Sequence, residues 1–466
     1  MASGLFVFSH DRLVLALLAA AVTVSAGTAA MGYFETAAER RRFCRWAIAF
    51  LLSVLGCLFS STWLGYLVFM ELSTFALFVL VAAKESRTAF RYLTVQLAGA
   101  AFLVVGIAGA GGGSLPLGPV PQAWRPFFLL ALGVKAALPG LHFWLPGTHG
   151  TAPAPVSALL SGVSVKAGLL GILYVPGGDP MPFLVVAGTL MALWGSVQAV
   201  LQSDMKRLLA YSTISQLGYM VAASGAGAAG ALCHAAAHGL FKGALFLCAG
   251  IIEKNFGTRD LRRLGGGVSL LPLTFVLFLV SAASAAALPG TAGYAGKAVV
   301  KQALEAMPLV SLCLLAANAG SVMSVCRMGW CVFRRSPGST PLSVKTGTGL
   351  MNLGVVILSV SSVVFGSFPG VLPGYLGVPA PVFYPAGKII ESLLVCAVGA
   401  AAFFILRKRL EGWDLPDMDR LTDRVPGIMT RSLSIFGRLQ GGFLREYIMA
   451  AASAAIILAI LLSRAG

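Results

Sequence analysis

The sequence predicts an all-α polytopic membrane protein of about 14 transmembrane helices, at roughly 20 apolar residues for each span. Three observations predict it. First, Ala, Val, Ile, Leu, Met, Phe, Trp, Tyr and Cys make up 58% of the 466 residues, and Asp, Glu, Lys and Arg only 11%; mean hydropathy is +0.86. A soluble domain carries roughly 25% charged residues, so a water-soluble enzyme is excluded. Second, apolar stretches of spanning length recur along the chain without sustained strand-like alternation, which excludes a β-barrel. Third, the basic residues fall on alternate loops, the pattern by which cytoplasmic loops are marked.

The stretch 13–32 comes first, followed by Arg40, Arg41, Arg42 and Arg45. Its basic cluster lies after the apolar run rather than before it, so a retained helix is expected instead of a cleaved leader. Stretches 44–61, 63–83, 91–110, 124–144 and 155–175 form a first set, and 182–202, 209–225, 230–252, 270–305 and 309–333 a second. The stretch 270–305 is long and broken. Stretches 348–367, 388–406 and 447–463 complete the series. Between the last two, Leu421, Val425, Ile428, Met429, Ile435, Phe436, Leu439 and Phe443 keep near-helical spacing against Arg431, Arg438 and Arg445. A short lateral amphipathic helix is expected at about 418–445, long enough to clasp one neighbour; an ordinary membrane-surface helix is the competing reading. The units expected are therefore 1–43, 44–175, 182–335 and 336–466.

Net charge is +17, with 34 basic residues against 17 acids. Of the 34, 25 lie on one set of loops, including Lys84, Lys206, Lys254, Arg259, Arg327, Lys345 and the run Arg407, Lys408, Arg409. The opposite side holds Arg12, Arg125, Lys388 and Arg464. The 25 are expected in the cytoplasm and both termini outside, as an even number of spans requires. Read so, the basicity is a topology signal and calls for no nucleic acid. The eight cysteines sit in or beside apolar helices without CxxC spacing and read as small core residues.

Five lysines remain within apolar stretches: Lys135, Lys166, Lys242, Lys297 and Lys301. Glu71 and the histidines His142, His234 and His238 join them, with Glu305 and Glu391 nearer helix ends. One such charge costs about 2.5–3.5 kcal/mol at a helix centre, so four or five unpaired would cost on the order of 10–15 kcal/mol. They must face protein, water or each other, and a proton or ion path is the default reading. Competing readings are snorkelling for Lys301, Glu391 and in part Lys242, and an idle ion pair for Glu71 with Lys135. His234, His238 and Lys242 stand at i, i+4 and i+8 on one helix face, and imidazoles so arranged relay protons. A zinc pair is the rival for His at i and i+4, but no Glu follows the first histidine and no third ligand is evident.

Two helices are interrupted near a lysine: Pro139-Gly140 follows Lys135, and Pro289-Gly290 with Gly293 precedes Lys297. Unwound backbone at membrane depth survives only within protein or beside water. Broken helices in corresponding halves are the pattern of an inverted-repeat transporter, here two inverted five-helix repeats, each broken in its fourth helix.

The run from Lys135 through Leu138-Pro139-Gly140, His142, Trp144-Leu145-Pro146, His149, Ala152-Pro153, Val156-Ser157-Ala158 and Val165-Lys166-Ala167-Gly168 resembles the antiporter-like subunits of respiratory complex I. Mrp-type cation/proton antiporters and membrane-bound energy-converting hydrogenases share that family. The likeness continues through Gln202-Ser203-Asp204, Lys206-Arg207, Ala210-Tyr211-Ser212, Ser215-Gln216, Gly218-Tyr219, Phe241-Lys242 and Gly257-Thr258-Arg259-Asp260-Leu261. The resemblance implies that Glu71 and Lys135 are a glutamate–lysine pair and Lys166 the central residue of the first half. It assigns His234, His238 and Lys242 to the axis of the second half and Lys297 to its end, with His142, His149, Lys301 and Glu305 as accessory candidates. Gly147 stands where the family usually has an acid.

The implied function is proton translocation, or Na⁺/H⁺ exchange, by a membrane subunit of a redox-driven complex. Moving Glu71 relative to Lys135 would change that lysine's hold on its proton, pass the proton to Lys166 and favour release at Lys297. Rivals are an Mrp-like antiporter subunit, the membrane half of an inorganic-carbon uptake assembly, and a passive scaffold. No cofactor is expected in this chain: no flavin, haem or iron–sulfur motif occurs, and Gly111–Gly113 and Gly265–Gly267 lack a following Lys-Ser/Thr. The partners implied are the lipid bilayer, other membrane subunits and a peripheral iron–sulfur arm on the cytoplasmic side. A bacterial or archaeal inner membrane is the expected location.

Overall fold

Long apolar runs leave the backbone no partner but itself, so they coil into helices. The computed structural model describes residues 9–334, 344–377 and 380–412. The predicted lateral segment 418–445 and the last stretch 447–463 lie outside the described residues, as do the arginines from Arg420 onward. In order come α1 His10–Tyr33, α2 Ala37–Phe59, α3 Trp63–Ala82 and α4 Ser86–Ala110. The first interrupted helix follows as α5 Arg125–Lys135 and α6 Trp144–Thr151. Next are α7 Ala154–Tyr174, α8 Pro182–Leu201, α9 Met205–Ser224 and α10 Ala228–Phe256. The second interrupted helix is α11 Pro272–Ala285 and α12 Ala292–Ala303, then α13 Pro308–Phe333, α14 Thr348–Ser367 and α15 Ala386–Gly412. Among the described residues ten helices are long and apolar enough to cross a membrane, and the chain is a multi-pass membrane protein. Beside the helices stand two isolated β-bridges, Thr62–Pro116 and Asp204–Asp260.

Helix α2 starts earlier than the apolar run at 44–61, because Thr36 and Glu39 form a reciprocal capping box. The centre of the molecule is α9, α10 and the lysine-bearing part of α7, which are buried nearly all round, whereas α15 packs on α13 and is largely exposed along its outer side. Glycines bring α8 and α9 into close approach. A Cβ on Gly188 would stand 2.2 Å from the amide nitrogen of Ala222, and one on Gly218 2.4 Å from that of Ala192. Small residues at crossings are what membrane helices use in place of a hydrophobic driving force.

The two breaks are copies of one device. Ala136–Gly140 and Ala286–Gly290 share the sequence Ala-Ala-Leu-Pro-Gly. In the first, Leu138 N–H donates to Gly133 O and Ala137 N–H to Val134 O; in the second, Leu288 donates to Ala283 O and Ala287 to Ser284 O. This is the Schellman ending, which needs a left-handed residue, and Ala137 (φ 56°) and Ala287 (φ 65°) supply it without being glycine. Carbonyls at the breaks also accept from side chains: Val134 O from Trp144 Nε1 at 2.9 Å, Ala286 O from Asn318 Nδ2 at 3.2 Å, Ala287 O from Ser392 Oγ at 2.6 Å. A left-handed alanine costs about 1–2 kcal/mol, part of which glycine returns in chain entropy. Ala287→Gly is therefore expected to stabilise the protein by about 0.5–1 kcal/mol, read as a raised denaturation midpoint in detergent.

Candidate functional site

The first half contributes Glu71 from α3, Lys135 from the end of α5 and Lys166 from α7. Lys135 closes its helix at the carbonyl end, where the dipole favours a cation. Its ammonium donates to Thr74 Oγ1 at 2.6 Å. Glu71 and Lys135 form no ion pair among the described residues: both carboxylate oxygens of Glu71 are buried without a partner, as are Tyr92 Oη and Gln96 Nε2 of α4. Thr74, about one helical turn from Glu71 on α3, takes the ammonium instead. Gly168 holds α7 against the break, since a Cβ there would come within 2.7 Å of Lys135 Cβ and the Ala136 amide nitrogen.

One turn before Lys166, residues Leu160–Ser164 widen into a π-turn, a feature that gathers at functional sites because it releases backbone groups. Lys166 Nζ donates to the Ser161 carbonyl and lies 2.6 Å from His238 Nδ1. The Lys166–His238 hydrogen bond joins the first half of the chain to the second. When Lys166 carries its proton the ammonium can only donate, so His238 then accepts on Nδ1 and carries its hydrogen on Nε2; that Nε2 is buried without a protein partner among the described residues.

His234, His238 and Lys242 do share one face of α10, but their hydrogen-bond partners lie on other helices. The two imidazole centroids are 6.5 Å apart. His234 Nε2 meets Gln216 Oε1 at 2.9 Å, and Gln216 Nε2 donates to Ser321 Oγ at 3.1 Å. Lys242 Nζ donates to Leu209 O at 3.3 Å, and its burial rules out snorkelling. Gly296 of α12 lets that helix lie on His234, where a Cβ would stand 2.9 Å from its Nδ1. Lys297 then donates to Asn318 Oδ1 at 2.7 Å and Ala285 O at 3.1 Å, with its ammonium 4.9 Å from the centroid of the Tyr219 ring. Tyr219 also neighbours His234, ring centroids 5.8 Å apart. The arrangement is a row of buried ionisable groups from Glu71 to Lys297, spaced by neutral hydroxyls and amides.

Among the accessory candidates, His149 is buried and stacked on Phe246, centroids 4.4 Å apart, with neither ring nitrogen bonded among the described residues. His142 lies in the first break with Nδ1 buried and unpartnered. Lys301 pairs with Glu391. Glu305 is exposed beyond the end of α12.

Lys206 had counted with the loop cations, and the structure buries it completely. Its ammonium pairs with Glu253 Oε2 at 3.2 Å and donates to Ala152 O at 2.5 Å, three residues after His149. Glu253 also bridges to Lys84 at 3.3 Å, and Arg259 to Asp204 at 3.2 Å. Glu253 lines a cavity of about 510 Å³ on the face of the basic loops, together with Tyr33, Glu39, Lys84 and Lys254. Arg327 is likewise buried, bonded to Val200 O and, at 3.3 Å, to Leu410 O. Sequence reasoning left Thr74, Gln216, Tyr219 and Asn318 out of the row. Gln216 and Asn318, as amides inside apolar helices, carry the signal that would have found them; Thr74 does not, because threonine is ordinary in such helices.

Residues 123–324 match the family model described as NADH:quinone oxidoreductase/Mrp antiporter, TM. Hydrogenase-4 component B of Escherichia coli (strain K12) is 32% identical over 293 residues, 54% of this chain and 42% of that protein. NADH-quinone oxidoreductase subunit N of Desulforudis audaxviator (strain MP104C) is 35% identical over 245 residues, 46% of this chain and 49% of that protein. The chain thus matches about half the length of these curated relatives. Its fold matches a chain in the structure of the Mrp complex from Dietzia sp. DQ12-45-1b (TM-score 0.78, 21% identity, covering 100% of this chain and 57% of that one). It also matches a chain of the membrane-bound sulfane sulfur reductase, an archaeal respiratory membrane complex (TM-score 0.77, 24% identity, 98% and 89%). Family model, relatives and fold agree on one likeness: this chain is similar to the antiporter-like membrane subunits of complex I, Mrp antiporters and hydrogenases.

Proposed function

We propose that this subunit moves protons across the membrane along the row from Glu71 to Lys297, within a multisubunit redox-driven complex. The observation that carries the proposal is the direct contact of Lys166 with His238 at 2.6 Å, which makes one path of two half-paths. Uptake is assigned to the cavity beside Glu253 and Lys206, and release to the opposite face beyond Lys297. Glu71 modulates Lys135 through Thr74: a carboxylate swung toward the ammonium stabilises its charge, and one swung away lets the proton pass to Lys166. The unpartnered oxygens and nitrogens of Glu71, Tyr92, Gln96, His234 and His238 are the polar surface that bridging water requires.

The duplicated break supports a finer architecture of two inverted five-helix units, one from α2 to α7 and one from α8 to α13, among about 14 spans. Charge asymmetry supports cytoplasmic basic loops, outward termini and a bacterial or archaeal inner membrane. The likeness to hydrogenase and quinone-reductase subunits supports membrane-subunit partners and an iron–sulfur arm that holds the redox centres, with none in this chain. Purification in mild detergent followed by reconstitution tests the proposal: electron donor should acidify one side of the vesicle, and Lys135→Ala should abolish that signal with assembly intact. Acidification that needs a Na⁺ gradient and no electron donor would favour the Mrp-like reading, and wild-type proton flux in Lys135→Ala would sink the scheme.

A further inference from the structure

At the far end of the row lies a cavity of about 90 Å³, wide enough for more than one water molecule. Its inner wall is Lys297, Tyr219 and Asn318; its outer wall is Lys301, Lys388 and Glu391. Lys301 stands about one helical turn beyond Lys297 on α12, so both ammonium groups face this space. Lys301 Nζ donates to both carboxylate oxygens of Glu391, at 2.6 Å to Oε1. The two side chains are 38% and 34% exposed, which puts the pair at the rim, away from the basic loops. Glu391 is the one acid among the described lining residues, against three lysines; Tyr294, the remaining titratable neighbour from α12, is held by a bond from its hydroxyl to Phe383 O at 2.6 Å.

We infer that Glu391 receives the proton leaving Lys297 and that Lys301 is the latch that shuts the path between transfers. This rests on reading Lys297 as the end of the row. The step balances as follows. An N–H bond of the Lys297 ammonium breaks and, through water in the cavity, an O–H bond forms on Glu391, leaving a neutral amine and a neutral acid. The neutral acid no longer attracts Lys301, so the ion pair parts. The acid then gives its proton to bulk water, and the carboxylate pairs with Lys301 again. The carboxylate of Glu391, the one acid among the described lining residues, draws a proton outward from Lys297.

The test uses the intact complex in liposomes, with proton flux under a potassium diffusion potential read by a pH dye. Glu391→Gln should lower the flux about a hundredfold, the low end for loss of a positioned acid–base group. Lys301→Gln should raise it several-fold, because the acceptor stays and the latch is gone. The charge swap Lys301→Glu with Glu391→Lys rebuilds pair and acid together and should return flux to near the wild-type level; it also serves if a single variant fails to assemble. Lys297→Ala is the control for the row itself. Wild-type flux in both Gln variants while Lys297→Ala is dead overturns the latch and leaves a plain surface tie. Wild-type flux in Lys297→Ala overturns the row, and the latch with it.

Discussion

Lys166→Met is expected to cut proton translocation by about a hundredfold, at the low end of what a positioned acid–base group contributes. Lys166 is where the two halves touch, through His238 Nδ1 at 2.6 Å and the carbonyl that the π-turn frees at Ser161. Methionine fills similar volume without the ammonium, so packing beside Ser161 and Gly168 persists and the complex should assemble. Lys166→Arg separates a proton carrier from a charge that merely holds the helices together. A guanidinium keeps charge and donors but does not release its proton in a protein, so flux should fall as far as in the methionine variant. Recovery of flux in the arginine variant, measured as dye quenching per assembled complex, would mean that Lys166 is structural.

Glu253→Ala carries the largest expected effect on stability, a loss of about 3 kcal/mol, the low end for breaking a buried pair because Glu253 borders a cavity. The alanine leaves the Lys206 ammonium fully buried with, among the described residues, the carbonyl Ala152 O as its hydrogen-bond partner. Adding Lys206→Met removes the stranded charge, and the double variant should regain most of the loss, since an apolar replacement of a buried pair is often neutral. Denaturation of the detergent-solubilised protein reads all three. If the two single losses simply add in the double variant, Lys206 and Glu253 are not coupled. Should Glu253 also serve in proton uptake, the double variant will be stable yet slow in transport, which separates the two roles.

The residues most legible in the sequence were those the bilayer charges most for. Lys135, Lys166, Lys242 and Lys297 stood out because an ammonium in an apolar run is costly wherever it ends up. The histidine column on α10 was legible because neighbours at i and i+4 share a face in any α-helix. Thr74, Gln216 and Asn318 were harder to see, although they carry hydrogen bonds from or to the row. A hydroxyl or amide in a membrane helix costs little once bonded, so composition does not flag it. Lys206 was misjudged for the opposite reason: it sits beside Arg207 at a helix start, where a basic residue looks like a loop marker, and only its distant partner Glu253 shows otherwise.

The sequence by itself determined that this chain lives in a membrane, where its helices run, where two of them break and which charges must be sheltered. Each follows from local chemistry: hydropathy over about 20 residues, proline with glycine, and the cost of a charge in hydrocarbon. The tertiary structure alone decided that Lys166 meets His238, that Thr74 takes the ammonium of Lys135, that Lys206 is buried on Glu253 and that Lys301 pairs with Glu391. Helical periodicity relates neighbours within one helix. Contacts between helices depend on how each is rotated and how deep it sits, and those are set by packing at places such as Gly168, Gly218 and Gly296.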